Sequence, residues 1–134
     1  MEVSRGTVLL IDDDPFFLKI LTDAFTGCGF MVFTANDGTE GVRVFPDISP
    51  DVVISDLIMP GKGGVSTCME IARLAGDREP VIVLLTSMFH DGPRLFEEPE
   101  MGARAHISKS TKPLDIVIIV EQLLDSARSR RTTG

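Results

Sequence analysis

Four strand-like segments of this 134-residue chain are each followed or closed by a side chain capable of chemistry. Asp12, Asp13 and Asp14 follow the apolar run Thr7–Ile11 (TVLLI), and Asp56 follows Asp51–Ser55 (DVVIS). Thr86 and Ser87 stand at the end of Val81–Thr86 (VIVLLT), and Lys109 follows Ala105–Ser108 (AHIS). Carboxylates that end neighbouring strands repel and raise one another's pKa unless a cation joins them. Oxygen-only donors in a partly solvated site suit Mg2+ or Mn2+, which keep several waters and bind phosphate oxygens. A lysine and a hydroxyl complete the parts for phosphoryl transfer. Cations neutralise charge on the equatorial oxygens, the hydroxyl donates a hydrogen bond, and a carboxylate serves as nucleophile. Taken singly, each residue has an ordinary explanation: Asp14 before Pro15 suits a helix N-cap, and a Thr or Lys at a strand end is common. Compatible chemistry at four strand ends out of five weighs against that explanation.

The elements that must position these residues are legible as alternating strands and helices. The three strong apolar runs do not alternate with polar residues, as expected for strands buried on both faces of a parallel sheet. Met31–Ala35 and Ala105–Ser108 are weaker strand candidates. Pro15–Phe25 aligns Phe17, Ile20, Leu21, Ala24 and Phe25 on one helical stripe, ended by Gly27 and Gly29. Asp37 caps a helix carrying Val42 and Phe45 that is expected to stop at Pro46. Val65–Leu74 is a third helix, and Leu114–Ala127 a last one, with Ser110 or Thr111 as its cap. Asp91–Met101 is expected to be a short or kinked fourth helix, because Pro93 fits a first turn but Pro99 cuts a late hydrogen bond. This order predicts an α/β fold: a doubly wound, five-stranded parallel sheet with helices on both faces and right-handed crossovers. Ligands of such sheets bind outside the carboxyl ends of the strands, where strand order reverses. Residues 1–127 form one domain, and 128–134 (RSRRTTG) a polar, basic tail or the start of a linker.

Composition removes several classes. Thirteen Lys and Arg against twenty Asp and Glu give a formal charge of −7, opposite to a nucleic-acid-binding footprint. No apolar run approaches the ~18 residues that span a bilayer, and Met1 to Gly6 lacks a signal-peptide core, so a cytoplasmic protein is expected. Cys28 and Cys68 read as two buried thiols in a reducing compartment.

Asp12-Asp13 after an apolar strand, Asp56-Leu57-Ile58-Met59-Pro60 with Gly64 four residues on, Thr86, and Gly102-Ala103 leading to Lys109 resemble the receiver domain of bacterial response regulators. The resemblance runs from about Thr7 to Ala127 and implies a flavodoxin-like strand order 2-1-3-4-5. It implies that Asp56 is the phosphoacceptor, taking its phosphoryl group from a sensor histidine kinase or phosphotransfer protein in a Mg2+- or Mn2+-dependent phosphorelay. Asp13, Asp56 and the backbone carbonyl of Ile58 would ligate the cation directly, and Asp12 would act mainly through metal-bound water. Lys109 and Thr86 would contact phosphoryl oxygens. The fourth helix, fifth strand and fifth helix would form the surface for homodimerisation or partner binding. Such a domain catalyses only its own phosphorylation and dephosphorylation, and has no membrane or nucleic-acid partner of its own.

The sequence also departs from the family pattern. It has no tyrosine, and His106 occupies the switch position three residues before Lys109, where the family has Tyr or Phe. His106 reads either as a ring that moves with Thr86 or as a partly buried imidazole. Ser110 stands where most receivers have proline. Five consecutive apolar residues, Ile116–Val120, should leave Ile118 or a neighbour exposed, and Phe16-Phe17 can include one exposed ring. Other readings are a haloacid-dehalogenase-type phosphatase using Asp12 and Asp14 with Thr86, and a receiver-like interaction module that is never phosphorylated. The phosphatase reading finds no acidic pair after Lys109 and gives Asp56 no work. A flavin binder would share the fold, but no Trp or Tyr is present to stack on the ring.

Overall fold

The computed structural model describes residues 4–87, 93–100 and 102–133. In chain order the elements are β1 (Thr7–Ile11), α1 (Pro15–Gly27), β2 (Met31–Ala35), α2 (Gly38–Ile48), β3 (Val52–Asp56), α3 (Gly64–Ala75), a 3-10 turn (Gly76–Arg78), β4 (Val81–Thr86), β5 (Arg94–Glu100), β6 (Ala103–Ser108) and α4 (Pro113–Thr133). The strands form one sheet in the order β2-β1-β3-β4-β6-β5. All neighbours pair in parallel except β5 and β6, which are antiparallel. The five expected strands therefore take the expected order, with β6 in fifth place.

Burial on both faces explains the unbroken apolar runs. Val8, Leu10, Val52, Ile54, Val83 and Leu85 pack beneath α1 and α4, against Leu21, Phe25, Ile116 and Val120. Their neighbours Leu9, Ile11, Val53 and Leu84 pack on the other side, against Phe45 of α2 and Cys68 and Ile71 of α3. Asp14 caps α1 by accepting the Phe16 N–H at 3.0 Å, and Asp37 caps α2 by accepting the Glu40 N–H at 2.8 Å. Glu40 reaches back to accept the Asn36 N–H at 2.9 Å, which fixes the entry into α2. Of the two cysteines, Cys68 is buried and Cys28 only half-buried.

Three expectations need correction. The segment expected as a fourth helix is instead the edge strand β5, with Asp91 and Met101 outside the described residues. Pro93 and Pro99 leave little room for helix between them, whereas an edge strand tolerates proline because one row of its N–H groups faces no neighbour. A register shift between Leu95 and Glu100 accommodates the irregularity. Helix α2 does not stop at Pro46 but runs through it to Ile48, losing only the hydrogen bond that Pro46 cannot donate. It ends where Ser49, in the left-handed region at φ 48°, donates its N–H to the Phe45 carbonyl. The basic stretch from Arg128, expected as a tail or linker, continues α4 as far as Thr133. The Arg128 guanidinium donates to the Arg5 carbonyl at 3.0 Å, and Arg5 pairs with Glu121, so α4 is strapped to the segment preceding β1.

One glycine governs how the chain leaves β3. A β-carbon on Gly64 would lie 2.2 Å from the Asp56 carbonyl oxygen and 2.7 Å from the Leu57 Cα. The first residue of α3 therefore packs backbone to backbone against the end of β3. Gly64→Ala is expected to cost about 2–4 kcal/mol of unfolding free energy, because backbone cannot yield as a flexible side chain does. Urea denaturation of the two proteins checks this; an unchanged midpoint would refute the tight contact.

Candidate functional site

Register alone brings two of the carboxylates together. Ile11 lies opposite Ser55 in the parallel β1–β3 pair, so the residues that follow, Asp12 and Asp56, stand side by side at the carboxyl ends. Asp12 is only 2% exposed and Asp56 8%, while Asp13 lies on the exposed rim. One carboxylate oxygen from each of Asp12, Asp13 and Asp56 falls within 4.8 Å of the others. Lys109 enters from the end of β6, two strands beyond β3. Its Nζ lies 2.8 Å from Asp12 Oδ2 and 3.4 Å from Asp56 Oδ2. Its backbone is pinned as well, the Lys109 N–H donating to the Thr86 carbonyl at 2.8 Å.

The electrostatics follow from this crowding. Burial, then the nearby Asp12 charge, push the Asp56 carboxyl above its ordinary range, and Lys109 and a hydrogen bond from the Ile58 N–H oppose them. Burial would pull Lys109 down, but its hydrogen bond to Asp12 and the charges of Asp12 and Asp56 outweigh it, so the ammonium is held above its usual value. Asp12 Oδ1 also accepts the Asp14 N–H at 2.9 Å, which fixes the carboxylate's orientation. Three carboxylates around one ammonium leave an excess of negative charge on hard oxygen donors, a set that fits a small divalent cation.

The structure thus gathers Asp12, Asp13, Asp56 and Lys109 into one pocket. Thr86 is buried at the end of β4, one residue beyond Leu85, which pairs with Asp56. The Ile58 backbone meets Asp56 while its side chain is 61% exposed. His106 is buried on β6, opposite Leu84 and on the sheet face that carries α3. Ser110 does not cap α4; its N–H and hydroxyl turn back to the Ser108 hydroxyl, 3.1 and 2.7 Å away. The Lys109–Ser110 peptide is trans, and Lys112 is exposed at the helix start. On α4, Ile118 is 50% exposed while Ile116, Val117 and Val120 are buried, and on α1 Phe16 is 72% exposed.

One site residue escaped the sequence reading. Phe17, expected in the α1 core stripe and as one of a pair with an exposed ring near the site but with no contact to Lys109, places its ring centroid 4.4 Å from Lys109 Nζ. The available signal was its position, an aromatic in the first turn of the helix that leaves the acidic strand end.

Comparison with known proteins identifies the family and the fold. The family model for the response regulator receiver domain matches residues 8–121. The DNA-binding response regulator MtrA of Mycolicibacterium smegmatis is 32% identical over 124 residues, covering 92% of this chain and 53% of that protein. The transcriptional regulatory protein LiaR of Bacillus subtilis is 35% identical over 116 residues, covering 81% of this chain and 51% of that protein. The chain therefore spans about half the length of these curated relatives. Chemotaxis protein CheY4 of Vibrio cholerae has a TM-score of 0.75 at 22% identity, over 87% of this chain and 97% of that one. A response regulator receiver domain protein from Clostridium thermocellum scores 0.75 at 24% identity, over 92% of this chain and 97% of that one. At such identities the structural likeness speaks to the fold alone.

The raised Asp56 carboxyl has a consequence for stability. The unfolded chain ionises this group at its ordinary value and the folded chain only above it, so stability present at low pH is lost as pH rises through the folded value. In the presence of a chelator, Asp56→Asn is expected to raise the thermal midpoint by about 2–4 °C at neutral pH. The gain should shrink as pH falls through the carboxylate range, as followed by thermal unfolding at several pH values. A lower midpoint for the variant at neutral pH would contradict the assignment.

Proposed function

The chain belongs to the response regulator receiver domain family of two-component signalling, and on that premise we propose that Asp56 accepts a phosphoryl group from the phosphohistidine of a sensor histidine kinase or phosphotransfer protein. The observation that carries this reading is the Lys109 ammonium set between Asp12 and Asp56, with the Asp13 carboxylate beside them. An Asp56 oxygen attacks phosphorus and forms the new O–P bond as the histidine N–P bond breaks. The bonding pair leaves with the imidazole nitrogen, which takes up a proton. Lys109 turns its ammonium toward one phosphoryl oxygen, and the Thr86 hydroxyl donates to another. A divalent cation, Mg2+ or Mn2+, held by Asp13, Asp56 and the Ile58 carbonyl with Asp12 acting through water, would supply neutralisation of the phosphoryl charge.

The product carries about −1.5 to −2 charge at a fixed point at the end of β3. Such a change biases a two-state surface. We assign that surface to β5, β6 and α4, where Leu95, Leu114 and Ile118 are exposed, with His106 as its internal ring on β6. It would serve homodimerisation or partner binding. The domain catalyses only its own phosphorylation and dephosphorylation, works in the cytoplasm and makes no nucleic-acid contact of its own. Against the phosphatase alternative weighs Asp14, whose Oδ1 accepts the Phe16 N–H as the cap of α1.

Incubation with acetyl phosphate and Mg2+, followed by intact-mass measurement, should add one phosphoryl group. Chelation or Asp56→Asn should abolish the gain, and Lys109→Ala should slow it about tenfold or more. The same gain on Asp56→Asn would overturn the assignment, and no gain on the native chain would leave an unphosphorylated interaction module. Turnover of a phosphate ester lost in Asp12→Asn but kept in Asp56→Asn would favour the phosphatase.

Self-association gives a separate check. Beryllofluoride with Mg2+ should raise the solution mass measured by light scattering, and Ile118→Asp should suppress that rise. A beryllofluoride-induced rise that Ile118→Asp leaves intact would place the contact elsewhere.

A further inference from the structure

Lysine is an awkward choice for a precise electrostatic contact. Its ammonium is a compact point charge on a flexible four-carbon stem, with three donors and no acceptor. In this chain two sides of the Lys109 ammonium are met by Asp12 and Asp56, and the face of the Phe17 ring lies 4.4 Å away. That distance is inside the roughly 6 Å range over which an aromatic face attracts a cation. We propose that Phe17 is the positioning residue for Lys109, its ring keeping the ammonium aimed at Asp56 while the carboxylate contacts change. The proposal rests on the phosphoacceptor reading given above.

Phe17 is fit for this task because it is itself fixed. The Asp14 cap and Pro15 set the first turn of α1, and the ring is half-buried against the core beneath α1 and α4. Phe16, one residue earlier, is turned out to solvent, so only one ring of the pair serves the pocket. The two carboxylate contacts are the ones the reaction disturbs. Asp56 becomes an acyl phosphate, and Asp12 would share its charge with a cation held there through water. The Phe17 ring itself takes part in neither event. Because the ring is neutral, it holds the ammonium without cancelling its charge and without competing with a phosphoryl oxygen for its N–H donors. It also excludes water from one side of the ammonium, which strengthens the remaining interactions.

Phe17→Leu keeps apolar bulk but removes the aromatic face, while Phe17→Trp keeps a face. Phosphorylation by acetyl phosphate at saturating Mg2+ should slow about 3–10-fold in Phe17→Leu and return to within about twofold of the native rate in Phe17→Trp. The native chain contains neither Trp nor Tyr, so the indole of Phe17→Trp is the sole such fluorophore. Its emission should shift when Lys109→Met is added. Proton NMR gives a readout independent of activity: the Lys109 ε-methylene resonances should lie upfield in the native chain and lose that displacement in Phe17→Leu. In a Lys109→Met background, Phe17→Leu should change the residual rate by less than about twofold, since its effect runs through the lysine. A merely structural role would slow Phe17→Leu equally with and without Lys109, or leave the methylene resonances unmoved; either result overturns the proposal. If Lys109→Met alone phosphorylates at the native rate, the role of Lys109 falls instead, and the methylene displacement still reports the ring contact.

Discussion

Asp12 and Asp56 cannot avoid each other. The parallel β1–β3 register sets them at adjacent strand ends, largely out of water, with Asp13 close by. Two full charges within 4.8 Å repel by on the order of 3–4 kcal/mol at an effective dielectric near 20, a large fraction of a small domain's net stability. A fold that keeps this arrangement must bring a positive charge to it, and Lys109 is that charge, bound to both carboxylates from the end of β6, two strands beyond β3 and three beyond β1. Much of the remaining local structure follows from delivering it. The Thr86 carbonyl pins its backbone, the Asp14 N–H orients Asp12, and the Phe17 ring closes the open side.

The scaffold meets this demand by separating its tasks. Between the strand ends nearly every side chain of β1, β3 and β4 is buried apolar matter, interlocked with helices on both faces. The polar site residues stand at the last position of β3 and β4 or just beyond β1 and β6, where backbone direction is still set by the sheet. A charge placed there is positioned with the precision of a strand, and Asp56 and Lys109 meet there as a carboxylate and an ammonium in contact.

Most of the arrangement could be read from residue order. Unalternating runs such as VIVLLT specify strands covered on both sides, and the acidic residues after two of them fall together once those strands are neighbours. What escaped the sequence was decided by tertiary context. RLFEEPE became a strand because β6 presented an unpaired edge, a fact no local pattern contains. Pro46 failed to stop α2 because one missing hydrogen bond is a small loss beside the burial of Phe45. RSRRTT continued α4 because Arg128 found the Arg5 carbonyl, a partner 123 residues away in sequence. Phe17 was visible as an apolar residue, but its service to Lys109 depends on two segments that meet only after the sheet has formed.

The contact at Gly64 has a mechanical implication. Its N–H donates to the Leu57 carbonyl at 2.9 Å, and its α-carbon leaves no space above the Asp56 carbonyl. The carboxylate-bearing end of β3 and the leading turn of α3 are thereby welded into one piece. Torsional slack is left to the few intervening peptides, where Gly61 already adopts φ 75°. A displacement of the main chain at position 56 is then transmitted to α3 as a tilt of the whole rod rather than absorbed beside the pocket, giving a lever whose fulcrum is a single missing methyl group.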